Sequence, residues 1–247
     1  MNKGEVHLVG AGPGDPGLLT VRGRELIQQA DVLVHDALVD ASLLDLNPGA
    51  ERIDAGKRGG DHTLRQEEIN ALLAELALQG RKVVRLKGGD PFLFGRGAEE
   101  AEHLRRAGVS VHVVPGVSSA IAVPELCGIP VTHRGNSSLV TVVTGHERDG
   151  RAEDRIDWGH LAGTGGTIVV LMGMGNLRRI AASLQEGGMA PGTPVAVISE
   201  GSTGGQRALR SDLAHAADDV GSAGLKAPGV IVIGECVERM EELGDLR

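Results

Sequence analysis

Apolar and polar positions along the chain fall into two kinds of run. VHLVG (6–10), DVLVHD (31–36), ERIDA (51–55), KVVRLKG (82–88) and VSVHVVPG (109–116) are short, rich in β-branched residues and bounded by turn formers, which predicts strands. Between them the apolar positions recur at helical spacing. Thr20 is placed to cap VRGRELIQQA (21–30), where Leu26 and Ile27 supply part of an apolar face. LRQEEINALLAELALQG (64–80) carries Ile69, Leu72, Leu73 and Leu76 on one side, and GAEEAEHLRRAG (97–108) closes on the Arg, Arg and Gly of a helix C-terminus. The first half therefore reads as an open α/β sheet.

A second series of strands follows: SLVTVVTGH (138–146), GTIVVLMG (166–173), TPVAVISEG (193–201), QRALRSDL (206–213) and GVIVIGE (229–235). Helical runs NLRRIAASLQEGG (176–188) and DLAHAADDV (212–220) separate some of them. The turn GSTGG allows QRALRSDL to run antiparallel beside TPVAVISEG, and the remaining strand order is open. The chain breaks near residues 115–136, which predicts two α/β domains, 1–115 and 116–247, with a ligand cleft between them.

Composition excludes several classes of function. Of 247 residues, 41% are hydrophobic and 23% charged, as in an ordinary globular chain, and the net charge of -8 disfavours a nucleic-acid binder. Cys127 and Cys236 lie far apart in apolar surroundings, so reduced, buried thiols are expected. No apolar run suits a membrane span or a signal peptide, and the expected compartment is the cytosol. The histidines show no metal-binding spacing, and no metal is expected.

Candidate chemistry gathers where strands end. GAGPGD, KGGDPF, PGVSSA, LMGMG, SEGS and APG each sit beside a strand terminus, and glycine there lets a ligand approach the backbone closely. Gly12, Gly14 and Gly17 satisfy the G-x-G-x-x-G spacing of a dinucleotide loop, with Asp36 downstream. Pro13 and Pro16 lie inside that motif, however, and a proline has no N–H for a phosphate. The loop is suited to rigid close approach and poorly suited to pyrophosphate.

Taken together, VGAGPGDPGLLT, HDALV, GKRGG, RLKGGDPFLFGRGAEE, VVPGVSSA and GIPVTHRG resemble the S-adenosylmethionine-dependent tetrapyrrole methylases, and within them the uroporphyrinogen-III C-methyltransferases. The resemblance runs in order from Val6 to about Gly145 and continues more weakly through LMGMG and APGVIVIG. It implies the tetrapyrrole methylase fold, a homodimer, and conversion of uroporphyrinogen III to precorrin-2 by methylation at C-2 and C-7 in sirohaem or cobalamin biosynthesis. The motifs leave no stretch for a dehydrogenase and chelatase domain, so a stand-alone methyltransferase is expected. A methyltransferase for a later corrin precursor, or a non-catalytic tetrapyrrole-binding protein of the same fold, remains open.

Carried over by position, the resemblance implies that S-adenosyl-L-methionine meets Pro13, Gly88, Gly89, Asp90, Leu93, Ser118, Ser119, Met172, Gly201 and Gly229. Asp36 matches the family's proton acceptor and Lys57 its donor; His35 stands where the family often has Tyr. Uroporphyrinogen III carries eight carboxylates, so an acidic protein needs local cations to hold it. Arg22, Lys57, Arg58, Arg85, Lys87, Arg96 and Arg134 lie in the matching motifs, with His133 as a further hydrogen-bonding group.

Overall fold

The computed structural model describes residues 4–56, 64–145 and 156–247. The chain forms two compact units, Met1–Ser118 and Ser119–Arg247, against a sequence expectation of a break after residue 115.

In the first unit β1 (Glu5–Gly10), β2 (Val32–His35), β3 (Glu51–Asp54), β4 (Lys82–Lys87) and β5 (Ser110–Val114) form one sheet in the order β3-β2-β4-β1-β5. Every pairing is parallel. A parallel sheet is covered on both faces, which explains the near-continuous apolar runs. Val6, Leu8, Val32, Val34 and Val83 are buried with Ile69, Leu73 and Leu76 of α3 (Gln66–Leu78) and Leu104 of α4 (Gly97–Arg106). The alternate positions Val9, Leu33, Val84 and Leu86 pack with Leu26 and Ile27 of α1 (Val21–Gln28). Thr20 caps α1, its Oγ1 accepting from the Gly23 N–H at 3.0 Å. A short helix, α2 (Ala41–Leu44), joins β2 to β3.

This order creates a switch point. β1 and β4 are neighbours, yet the chain leaves β1 through α1 on one face and leaves β4 through α4 on the other. Loops that part in this way open a crevice outside the carboxyl ends of the strands, where ligands bind in open α/β sheets.

The second unit holds β6 (Val140–Thr144), β7 (Thr167–Leu171), β8 (Pro194–Ser199), β9 (Arg207–Asp212) and β10 (Gly229–Ile233) in the order β6-β7-β10-β8-β9. β6 and β7 are parallel, β10 runs antiparallel to both its neighbours, and β9 pairs antiparallel with β8 across GSTGG as the sequence allows. The carboxyl ends of β6, β7 and β8 therefore share one sheet edge with the amino end of β10. Trp158 of α6 (Trp158–Thr164), Ile180 and Leu184 of α7 (Leu177–Glu186) and Val220 of α8 (Ala216–Ala223) are buried with Ile168, Val170, Val195, Val197, Ile231 and Ile233. Helix α5 (Ser119–Leu126) packs on β7 and β10, and α9 (Arg239–Leu243) follows β10. The periodicity did not mark α5, because SAIAVPEL lacks a polar stripe and contains Pro124.

Cys127 and Cys236 are buried free thiols, and burial pushes Cys127 up to about 11. Among the described residues no helix is long and apolar enough to cross a membrane.

Candidate active site

The sheet of the first unit brings Pro13, Asp36, Gly88, Gly89, Asp90, Leu93 and Ser118 to the carboxyl ends of β1, β2, β4 and β5. Three of these loops meet backbone to backbone. The Gly89 N–H donates to Gly12 O at 2.7 Å and the Gly12 N–H to Gly89 O at 3.3 Å. A Cβ at Gly10 would lie 2.5 Å from Gly116 Cα, and one at Gly116 would lie 2.2 Å from Gly89 O. Close approach of the strand ends is what those glycines permit. Gly88 differs, for a Cβ there would meet nothing within 4 Å, so its backbone faces open space.

Asp90 is engaged within its own loop. Its Oδ1 accepts from the Phe92 and Leu93 N–H groups (2.8 and 3.2 Å), and its Oδ2 accepts from the Gly116 N–H (3.1 Å). The carboxylate thus ties the loop after β4 to the end of β5. Leu93 is half-buried in that loop, while Phe92 and Phe94, the chain's two phenylalanines, are 53% and 39% exposed. Arg96 sits at the start of α4 with φ +58 and donates from Nε and Nη2 to the two oxygens of Glu99 (3.0 and 2.7 Å). This pairing raises its already high pKa. Arg22 is largely exposed, its Nη1 3.5 Å from Glu25 Oε2.

Arg85 and Lys87 overturn an expectation. Read from sequence they are cations for substrate carboxylates; in the fold they are 2% and 3% exposed. Arg85 Nη2 pairs with Asp36 Oδ1, Arg85 Nε lies 3.4 Å from Glu100 Oε1, and Lys87 Nζ lies 3.0 Å from the same oxygen. Two cations face two carboxylates, so no net positive charge is left for a ligand. Burying such ions costs on the order of several kcal/mol each, offset only by close pairing and added hydrogen bonds. Arg85 Nη1 supplies one of these, donating to Leu86 O at 3.2 Å, and Gln66 Nε2 another, donating to Glu100 Oε1 at 3.1 Å. Asp36 is the partly open end of the group, its side chain 36% exposed.

In the second unit Met172, Gly201 and Gly229 come to the edge where β7 and β8 end and β10 begins. Met172 is 53% exposed with φ +55, and Glu200 and Ser202, flanking Gly201, have φ +51 and +68. Non-glycine residues in this region are uncommon and concentrate at functional sites. A Cβ at Gly201 would strike Val123 of α5 at 2.3 Å, and one at Gly229 would lie 2.8 Å from Met174 Sδ, so both glycines have packing reasons. Ser119 starts α5 and is half-buried, while His133 and Arg134 are exposed in the loop before β6. Lys57 and Arg58 lie outside the described residues. A cavity of about 450 Å³ beside Arg210, Asp212 and His215, and one of about 130 Å³ beside Cys127 and Gln206, contain none of the candidate residues. Among the described residues no cluster of His, Cys, Asp or Glu is arranged to hold a metal ion.

The sequence model of the family Tetrapyrrole (Corrin/Porphyrin) Methylases matches residues 5–217. The chain belongs to the tetrapyrrole methylases. This methylase is 50% identical over 247 residues to the S-adenosyl-L-methionine-dependent uroporphyrinogen III methyltransferase of Methanosarcina barkeri, covering 100% of this chain and 97% of that one. Among solved structures it is similar to uroporphyrin-III C-methyl transferase from Thermus thermophilus complexed with S-adenyl homocysteine (40% identity, TM-score 0.82, 95% and 99% of the two chains covered). It is also similar to the cobalt precorrin-4 methyltransferase CbiF (27% identity, TM-score 0.84, 94% and 95% covered).

The residue of this methylase that sequence reasoning missed is Glu100, which is 0% exposed. A signal was present. On α4 the buried positions are Gly97, Glu100 and Leu104, a helical stripe with a carboxylate in it. On β4 the same face carries Val83 and then two cations, although a parallel strand covered on both faces calls for apolar residues.

Proposed function

We propose that this chain is an S-adenosylmethionine-dependent uroporphyrinogen-III C-methyltransferase, methylating C-2 and C-7 to give precorrin-2 for sirohaem or cobalamin. The observation that carries the reading is 50% identity along the whole chain to a relative named for that cofactor and substrate. Identity of only 27% to the cobalt precorrin-4 enzyme makes a later corrin precursor the weaker substrate. The family resemblance extends the proposal to a homodimer working in the cytosol.

When bound, the cofactor supplies an electrophilic methyl group on sulfur. We assign its binding to Pro13, Gly88, Gly89, Leu93, Ser118, Ser119, Met172, Gly201 and Gly229, with Asp90 shaping the loop. Open space at Gly88 supports this assignment, as does the exposed thioether of Met172, a soft surface for an apolar or sulfur-bearing group. The protein's main contribution is alignment, since holding two reactants in a productive geometry can supply roughly 7–11 kcal/mol.

Asp36 is assigned as acceptor of the proton that leaves the methylated ring, and Lys57 as donor. The partly open Asp36 carboxylate, held by Arg85 on one oxygen, supports the first role. Arg22, Arg58, Arg96, His133 and Arg134 are assigned to the substrate carboxylates, for which a guanidinium offers two parallel hydrogen bonds. Arg96 would exchange Glu99 for its ligand.

Incubation with uroporphyrinogen III and methyl-labelled cofactor tests the proposal. Two labelled methyl groups per macrocycle are expected, and Asp36→Asn should slow their transfer roughly a hundredfold while affinity for S-adenosylhomocysteine stays unchanged. Label entering only a later corrin precursor, or none at all, would overturn the substrate assignment.

A further inference from the structure

We propose that Glu100 is a positioning residue for methyl transfer, acting on Asp36 through Arg85; the inference rests on the reading of Asp36 as proton acceptor. Glu100 neutralises Arg85 and Lys87, but fold stability gives no reason for the buried ion group as a whole. The carboxylate occupies a fully buried position one turn from Leu104, and apolar residues of similar volume in place of a buried ion group are often neutral or stabilising.

The geometry supplies a reason. Glu100 Oε1 receives Arg85 Nε, Lys87 Nζ and Gln66 Nε2 at 3.4, 3.0 and 3.1 Å. With Nε turned to Glu100 and Nη1 to Leu86 O, the planar guanidinium of Arg85 has one remaining direction, and its Nη2 meets Asp36 Oδ1. That fixes one carboxylate oxygen of Asp36 and leaves Oδ2, which has no partner among the described residues, to take the proton. Glu100 also balances charge. Its carboxylate meets both Arg85 and Lys87, whereas Asp36 meets Arg85, so the second buried cation is neutralised without drawing on Asp36.

Glu100→Gln keeps the shape and removes the charge. It should lower kcat about 10- to 100-fold while the KM for cofactor and the calorimetric affinity for S-adenosylhomocysteine stay within about twofold. Combined with Asp36→Asn it should add less than about twofold to the loss caused by Asp36→Asn alone, because residues acting as a unit are not additive. Wild-type kcat in Glu100→Gln, with Asp36→Asn slow, overturns the role of Glu100 and leaves Asp36 standing. Multiplying losses in the double variant overturn it too. Wild-type turnover in Asp36→Asn overturns the proton-acceptor reading and this inference together. Should Glu100→Gln fail to fold by circular dichroism, Glu100→Asp makes the test, since it keeps the buried charge but draws the carboxylate back from Arg85: a similar kcat loss at unchanged S-adenosylhomocysteine affinity is expected, and wild-type kcat overturns the role of Glu100.

Discussion

A Cβ at Gly116 would fall 2.2 Å from the Gly89 carbonyl oxygen, whereas one at Gly88 would meet nothing within 4 Å. The two glycines therefore answer to different demands, and alanine separates them. Gly116→Ala should destabilise the first unit by about 1–3 kcal/mol through overpacking of backbone on backbone. Gly88→Ala should leave the melting temperature within about a degree and still weaken S-adenosylhomocysteine, since the methyl would occupy the space assigned to the ligand. Calorimetry showing unchanged affinity in Gly88→Ala would make Gly88 a turn residue only. A second residue-scale prediction concerns His7, buried on β1 and stacked on His112 of β5 with ring centroids 5.0 Å apart. Burial lowers its pKa from the ordinary 6.5, against the opposing pull of Glu5. Below pH 6.5 the unfolded chain then binds more protons than the folded one, so stability falls as pH drops through that value. Glu5, with its own pKa lowered from 4.5 chiefly by the His7 ring, whose Nε2 lies 3.0 Å from Glu5 Oε1, adds a further loss at more acidic pH. His7→Phe should keep the ring contact and flatten the decline in melting temperature between about pH 7.5 and 5.5. An equal slope in both proteins would remove His7 as its source.

Between elements, the Asp90 side chain joins the loop after β4 to the end of β5. Sequence alone suggests a ligand contact; three backbone donors on its carboxylate suggest a clamp that shapes the ligand loop. The two roles separate in one experiment. Asp90→Ala should lower the melting temperature and the S-adenosylhomocysteine affinity together, each by the equivalent of about 1.5–3 kcal/mol, the range for hydrogen bonds to a charged group. Lost affinity at an unchanged melting temperature would instead mean that the carboxylate meets the cofactor alone. Strand ends elsewhere follow a similar logic. Phe94, Arg96, Met172, Glu200 and Ser202 all have positive φ, and all lie in loops that carry candidate residues. Regular elements thus stay relaxed while the strained conformations collect at their ends.

At the scale of the whole molecule, each unit has its own sheet and its own core, and Trp158, the chain's single tryptophan, lies in that of the second unit. With no tyrosine in the chain, intrinsic fluorescence reports on the second unit, whereas far-ultraviolet circular dichroism reports on both. Urea transitions followed by the two signals should fail to coincide. Coincident curves would mean that the chain unfolds as one cooperative body. Sedimentation at micromolar concentration should find a species near twice 25.6 kDa, and a lone 25.6 kDa species would remove the homodimer.

Among the described residues the ten strands and the helices α1, α3, α4, α7 and α8 follow from local pattern, because short runs rich in β-branched residues and helical spacing of Ile and Leu are visible in a single line of letters. Prolines inside the first glycine loop counted against pyrophosphate for the same reason, since a missing N–H is a property of the residue itself. Strand order was beyond reach. Whether β4 enters between β2 and β1, or β10 between β7 and β8 in the opposite sense, depends on pairings between residues far apart in the chain, and these leave no local trace. The same limit hid the partners of Arg85, Lys87 and Asp90. A charge in sequence reads as solvated until a second element is seen to cover it, and only the packing of α4 on β4 turned Glu100 toward two cations and made Arg85 the holder of Asp36.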